Sequence, residues 1–246
     1  MYNYLMKIEY DGTKYVGWQI QKNGSSIQEK IEKALKKTLR SKTKIIGAGR
    51  TDKGVHAYGQ YANFKTQNLI NESQVFLNSM NFFLKKESIS ITALTKKFIN
   101  FHSRFSAKER IYKYIITNRI GSLSLDRDRT WHIKKKIDIK LLKKGAKILT
   151  GTHDFSTFRS SSCTAKSPIK KIKFIKVTKS KDRIILTFNS KSFLQNQVRS
   201  MVGCLKSLST KEWDFQKFKK VFKSKNRRHC AAPAPAHGLY LYNVIY

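Results

Sequence analysis

The stretch Gly47-Ala48-Gly49-Arg50-Thr51-Asp52-Lys53-Gly54-Val55-His56-Ala57-Tyr58-Gly59-Gln60 holds one carboxylate, Asp52, in a glycine-punctuated turn between Arg50 and Lys53. No other acid lies between Glu32 and Glu72. Glycines at 47, 49, 54 and 59 allow sharp turns and close approach of a ligand where a Cβ would obstruct it. The chain carries 51 Lys and Arg against 15 Asp and Glu, a formal charge of +36, so a polyanion is its natural partner. An acid at the centre of a phosphate-binding surface weakens binding unless it has a chemical task. With cations on both sides favouring its ionised form, Asp52 can act as nucleophile, base or oxocarbenium stabiliser. The alternative is that it only caps a Thr-Asp-Lys-Gly turn.

Composition narrows the class. A chain of 246 residues, 40% of them hydrophobic, can form one large domain or two modest ones, each with its own core. Arg supplies only 12 of the 51 basic residues, and Lys-, Ile- and Asn-rich usage is what an A/T-biased genome produces, so part of the charge is compositional. Cys163, Cys204 and Cys230 are an odd number without C-x-x-C spacing, which argues against a disulfide framework or a zinc site; they read as buried small hydrophobes. The six His residues are dispersed, and no metal centre is readable. No apolar run approaches the ~20 residues of a membrane span, and the N-terminus enters a charged strand pattern rather than a signal peptide. The expectation is a cytoplasmic protein without membrane contact.

These residues need a scaffold. Met6 to Tyr10 reads as a strand, and a capping box at Ser26-x-x-Glu29 opens a helix whose Ile27, Ile31, Leu35 and Leu39 recur at helical spacing as core. After the Asp52 loop come a strand at Tyr61 to Phe64, a helix from Asn71 to Leu84 and a strand at Ser88 to Leu94. The order then repeats loosely: strand Ile111 to Thr117, helix Asp138 to Thr150, strands Ile172 to Val177 and Arg183 to Phe188, helix Leu194 to Leu208, helix Glu212 to Phe222 and strand Leu239 to Ile245. Similar order without sequence repetition predicts an α+β fold of two similar halves, each an antiparallel sheet with helices on one face. Residues 1–105 form the first half and 106–246 the second.

Gly49-Arg50-Thr51-Asp52-Lys53-Gly54-Val55-His56 resembles the G-R-T-D-x-G-V-H motif of the TruA family of tRNA pseudouridine synthases. Further blocks follow in the family's order along the whole chain: Ile8 to Gln19, Ser26 to Glu29, Phe101 to Ala107 leading into Tyr112 to Ile116, His153 to Arg159, Val198 to Gly203 and Gly238 to Leu241. Two segments depart from the family pattern. Asn78 to Leu84 lacks the Leu-Pro that commonly closes the second helix, and Ala231-Ala232-Pro233-Ala234-Pro235-Ala236 replaces a more usual Gly-Pro-Thr-containing run. Neither includes a residue of the proposed chemistry.

The resemblance implies a pseudouridine synthase fold, its two sheets joined into one across a central RNA-binding cleft. It also implies isomerisation of uridine to pseudouridine in the anticodon stem-loop of tRNA, at positions 38, 39 and 40, by a homodimer that needs no cofactor. In that chemistry the N1–C1′ bond breaks, the base rotates and rejoins through C5, and the base must first leave its stack, at a cost of roughly a few kcal/mol. The catalytic residues it implies are Asp52, Tyr112 and Arg199. Asp52 supplies the carboxylate near C1′ or C6. Tyr112 stacks on the uracil and helps remove the C5 proton, where the residues alone allow an ordinary strand tyrosine. Arg199 pairs with Asp52, where the residues alone allow a side chain snorkelling to solvent. Substrate binding falls to Arg50, which fills the vacated stack or holds its phosphate, to Arg104 and to Tyr112, with Leu239 packing beneath Tyr112. Lys14, Lys108, Arg110, Arg159, Lys166, Lys170 and Lys171 join Arg104 as candidates to track the RNA backbone.

Two other classes compete. One is a catalytically silent RNA-binding protein on the same scaffold, which would have no use for an acid among cations. The other is a nuclease or glycosidase using Asp126 and Asp128, a pair with no metal-ligand spacing around it that reads as a loop.

Overall fold

The structure is a computed structural model that describes residues 1–246. The chain folds as two compact units, Met1–Lys108 with Tyr240–Tyr246, and Glu109–Leu239. The sequence places 106–246 together, whereas the terminal segment Tyr240–Tyr246 lies with the first unit, where it pairs in parallel.

The first unit contains β1 (Tyr2–Tyr10), α1 (Ile27–Leu39), β2 (Ile45–Gly47), β3 (His56–Thr66), α2 (Ser73–Leu84) and β4 (Ile89–Lys97). β1 is central to β3 and β4, antiparallel to both, and its alternate Tyr4, Met6, Ile8 and Tyr10 are buried. α1 opens as expected. Ser26 Oγ accepts from the Glu29 amide at 3.2 Å, a cap worth about 1 kcal/mol. The Glu29 carboxylate is held below its usual range by Lys33 and, to a lesser degree, by the Ser26 amide, which completes the box. The buried stripe is Ile27, Ile31, Ala34 and Leu35; Leu39 is only half-buried, because the last turn runs out past the core.

The second unit contains β5 (Glu109–Asn118), β6 (Trp131–Ile133), α3 (Ile139–Leu149), β7 (Gly151–Asp154), β8 (Ile169–Ser180), β9 (Arg183–Ser190), α4 (Gln197–Ser209) and α5 (Phe215–Lys223). The chain then returns to the first unit's sheet as β10 (Leu239–Ile245). Within this unit the sheet order is β5-β9-β8-β7, with β6 on β5. Asp138 and Asp214 cap α3 and α5 by accepting from the Leu141 and Lys217 amides. Fully buried Tyr114, Phe155, Phe158, Phe188, Met201, Leu205 and Phe218 make the core.

The α+β class stands, with mixed rather than purely antiparallel sheets. β10 runs parallel to β3, and β6 parallel to β5. The sequence pattern gives no sign of β2, β6 and β7, each three or four residues long. It also starts the fourth and fifth helices early. Asn196 has φ 61°, which delays α4 to Gln197, and Asp214 is the cap before α5 rather than part of it.

Candidate active site

The loop carrying Asp52 connects β2 to β3, and it is clamped on both sides. Its start is fixed by the Ala48 amide on the Tyr61 carbonyl at 2.7 Å and by Gln60 Nε2 on the Gly49 carbonyl at 2.8 Å. At Thr51 the side-chain hydroxyl meets the Tyr10 hydroxyl at 2.8 Å in a buried contact, and the Thr51 carbonyl accepts from the Trp18 amide at 3.1 Å. The backbone of Asp52 bridges Gly17, and its carbonyl accepts from the Val55 amide at 3.1 Å to close the turn.

Those supports trace back to α1. The first amides of the helix, which have no partner inside it, donate to the carbonyls of Gly17 and Trp18. Gly17 itself sits at φ +124°, where a Cβ would stand 2.7 Å from the Thr51 carbonyl. A further strut comes from His56, buried at the start of β3: its Nδ1 lies 3.1 Å from the Gly12 amide, from which it accepts, and 3.1 Å from Asp11 Oδ1. Its ring stacks on Tyr240 at 4.8 Å.

The result is a half-buried Asp52 flanked by exposed Arg50 and Lys53. Two of the glycines work differently from the expectation. A Cβ on Gly47 would meet the Trp18 indole at 2.6 Å, and one on Gly59 the Tyr242 carbonyl at 2.5 Å. They accommodate the protein's own packing, not an approaching ligand. Arg104 is exposed on a turn where its guanidinium lies 5.5 Å from the Phe105 ring. Ser103, its neighbour, donates to the Ile46 carbonyl in β2, so the Arg104 turn and the Asp52 loop hang from the same strand.

In the second unit Tyr112 lies on β5, 8% exposed, with its ring edge-on to Phe193 at 5.2 Å. Phe193 belongs to the segment that leads into α4 and Arg199. Arg199 is not a loose surface side chain: Nε donates to the Ala234 carbonyl at 2.8 Å and Nη1 to Asn196 Oδ1 at 3.1 Å. The Ala234 amide returns a bond to the Arg199 carbonyl at 3.0 Å. The Ala231–Ala236 run, set apart from the chemistry on sequence grounds, therefore carries the carbonyl that orients Arg199. Leu239 is buried, just after Gly238, where any Cβ would strike the Tyr114 ring at 2.7 Å. The Tyr114 hydroxyl is tied to the Pro235 carbonyl at 2.8 Å.

A family model described as tRNA pseudouridine synthase matches residues 6–106 and 146–246. The chain belongs to that family. Full-length relatives named "tRNA pseudouridine synthase A" agree with it: one from Pelagibacter ubique (strain HTCC1062) is 54% identical, covering 100% of both chains. One from Parvibaculum lavamentivorans is 40% identical, again over 100% of both. One from Anaplasma phagocytophilum (strain HZ) is 37% identical over 99% of each. The synthase is thus an isomerase.

Other candidates in the synthase already have partners within the chain. Arg110 donates to the Lys191 carbonyl, and Arg159 spans the Cys163 and Ala165 carbonyls at 2.7 Å each. Both guanidinium groups hold loops. Asp126 is paired with Arg183, which fits a loop anchor and not a hydrolytic carboxylate. No group of three or more His, Cys, Asp or Glu is placed to hold a metal ion. The positioning residues missed from sequence are Tyr10, Gly17, His56, Asn196 and Ala234. The first three lie within motif blocks that could have flagged them; Asn196 and Ala234 do not.

Proposed function

We propose that this synthase converts uridine to pseudouridine in the anticodon stem-loop of tRNA, at positions 38, 39 and 40, with Asp52 as the essential carboxylate. The observation that carries the reading is the rigid presentation of Asp52. A half-buried acid is held by backbone bonds on each side of it in a chain of charge +36, which a phosphate-binding surface alone does not need.

In this reading Asp52 acts at C1′ or C6 of the flipped nucleotide. Tyr112 stacks on the uracil and assists loss of the C5 proton, and Arg199 keeps the carboxylate ionised and aimed. Arg50 and Arg104 contact the RNA, and Leu239 supports Tyr112. The burial of Tyr112 and the two bonds that hold the Arg199 guanidinium support these roles, since pre-organised side chains lose less entropy on binding. The enzyme works in the cytoplasm as a homodimer, without a cofactor.

Unmodified tRNA transcript incubated with the purified protein, followed by mapping of pseudouridine by nucleotide, tests the reading. Pseudouridine confined to positions 38 to 40 with intact strands is the expected result. Binding without isomerisation would leave a silent RNA-binding protein, and modification elsewhere would overturn the site assignment. Light scattering in solution checks the dimer.

A further inference from the structure

Cys204 lies fully buried on α4, and Cys230 is half-buried at the end of the 3-10 turn Arg227–His229. Although 26 residues apart in sequence, their sulfurs are 3.4 Å apart. The chain that follows, from Cys230 to Ala234, lies on α4 as a strap. Ala231 N–H donates to Cys204 Sγ at 3.4 Å, the Ala234 amide to the Arg199 carbonyl, and a Cβ at Gly203 would stand 2.1 Å from the Ala232 carbonyl. The strap is thus pressed onto the helix with two thiols facing each other at its start.

Their surroundings differ. Hydrogen bonding to Cys204, helped by the Arg227 guanidinium and opposed by burial, holds the Cys230 thiol below its usual range. Hydrogen bonding to Cys230 together with burial pushes the Cys204 thiol well up. The half-buried Cys230 sulfur, beside the Arg227 guanidinium, therefore stands next to a fully buried one, which is the arrangement of an attacking and a resolving cysteine. Reading these cysteines as inert buried hydrophobes accounts for neither the Sγ contact nor the Arg227 neighbour.

We propose that Cys204 and Cys230 form a redox-active dithiol that a hydroperoxide oxidises to an intramolecular disulfide, fastening the strap to α4. Cys230 sulfur attacks one oxygen of hydrogen peroxide; the O–O bond breaks, an S–O bond forms and water leaves. The Cys204 sulfur then attacks the Cys230 sulfur. The S–S bond forms, the S–O bond breaks, and the hydroxide departs as water with the Cys204 proton. Two thiols and one peroxide give one disulfide and two waters, the sulfurs losing two electrons. Bond formation draws the sulfurs from 3.4 Å to roughly 2.0 Å. That pulls on the strap whose Ala234 carbonyl holds Arg199, so turnover falls when the bond forms; this last effect alone rests on the role proposed for Arg199.

The test treats the folded, reduced protein with hydrogen peroxide and then counts thiols, maps peptides and records Tm. The expected result is loss of two of the three thiols and a cross-linked Cys204–Cys230 peptide lighter by two hydrogens. Tm should rise by roughly 5 °C or more, and dithiothreitol should reverse all three changes. Cys163→Ser should behave as wild type and Cys230→Ser should show neither cross-link nor Tm rise. Survival of all three thiols, a stable sulfinic acid at Cys230, or a link through Cys163 or to a second chain would overturn the dithiol. A disulfide that forms with turnover unchanged would overturn the coupling to Arg199 while leaving the dithiol standing.

Discussion

At the scale of single residues, the question is whether Asp52 is chemistry or architecture. Asp52→Asn keeps shape and hydrogen-bonding capacity while deleting the charge. The turn is closed by main-chain bonds from residues 17, 18 and 55, so the variant should fold with Tm near wild type. Because the lost charge stood between Arg50 and Lys53, tRNA should bind equally well or slightly tighter. Single-turnover pseudouridine formation should fall by roughly three orders of magnitude or more. A turn-capping role gives the opposite pattern, a lowered Tm with activity kept. Tyr112 separates in the same way: Tyr112→Phe should keep affinity and slow the chemical step, whereas Tyr112→Ala should also lose stacking worth ~1–3 kcal/mol. Equal and negligible effects would return it to an ordinary strand tyrosine packed on Phe193. As a lone acid among cations, Asp52 was legible in the sequence as a candidate, and Tyr112 and Arg199 only through the family resemblance. Asn196 and the Ala234 carbonyl were not, since one is a local side-chain bond and the other a main-chain atom 35 residues away.

Among elements, α1 matters most to the site, because its first amides fix Gly17 and Trp18, which in turn fix Thr51 and Asp52. Gly12 is the point where this assembly tolerates least. A Cβ there would stand 2.0 Å from the Val55 carbonyl, so Gly12→Ala must displace the Asp52 turn. It should lower Tm and slow turnover more than it weakens tRNA binding; kinetics indistinguishable from wild type would show that the loop's exact placement is immaterial. α1 is also tied to the turn after α2 through Lys30 and Glu87, 2.9 Å apart. Hydrogen bonding to Lys30 holds the Glu87 carboxyl below its ordinary 4.5, against burial. The folded value lies below the unfolded one, so this stabilisation is complete above pH 4.5 and fades as pH falls through the folded value. Tm measured against pH should drop on acidification, and Glu87→Gln should flatten that drop. The helix α1 was readable from periodicity, but β3 and β8 only in their middles, Tyr61 to Phe64 of His56–Thr66 and Ile172 to Val177 of Ile169–Ser180. The short β2, β6 and β7 were not, because three or four residues carry no period and their existence depends on the neighbouring strand.

For the molecule as a whole, the return of the last strand to the first unit was the least legible feature. Nothing local in Leu239–Ile245 says that β10 lies parallel to β3 at His56 and Ala57. The charge, in contrast, was legible as a total but not in its use. Arg110 and Arg159 spend their guanidinium groups on backbone carbonyls, while Lys14, Arg104, Lys108, Lys166 and Lys171 are exposed. If exposed cations hold the RNA by displacing counterions from phosphates, log affinity for tRNA should fall linearly with log salt. About six phosphate contacts would cost roughly a thousandfold between 50 and 200 mM. Replacing exposed Arg104 or Lys166 by Gln should lower the slope by about one contact each. Arg159→Gln should leave the slope alone and lower Tm, since it removes two loop bonds and no phosphate contact. Affinity that stays flat across the titration would make the +36 charge a by-product of composition. The same slope measured with Asp52→Asn must match wild type, because a carboxylate that acts on the uridine displaces no counterion from the phosphates.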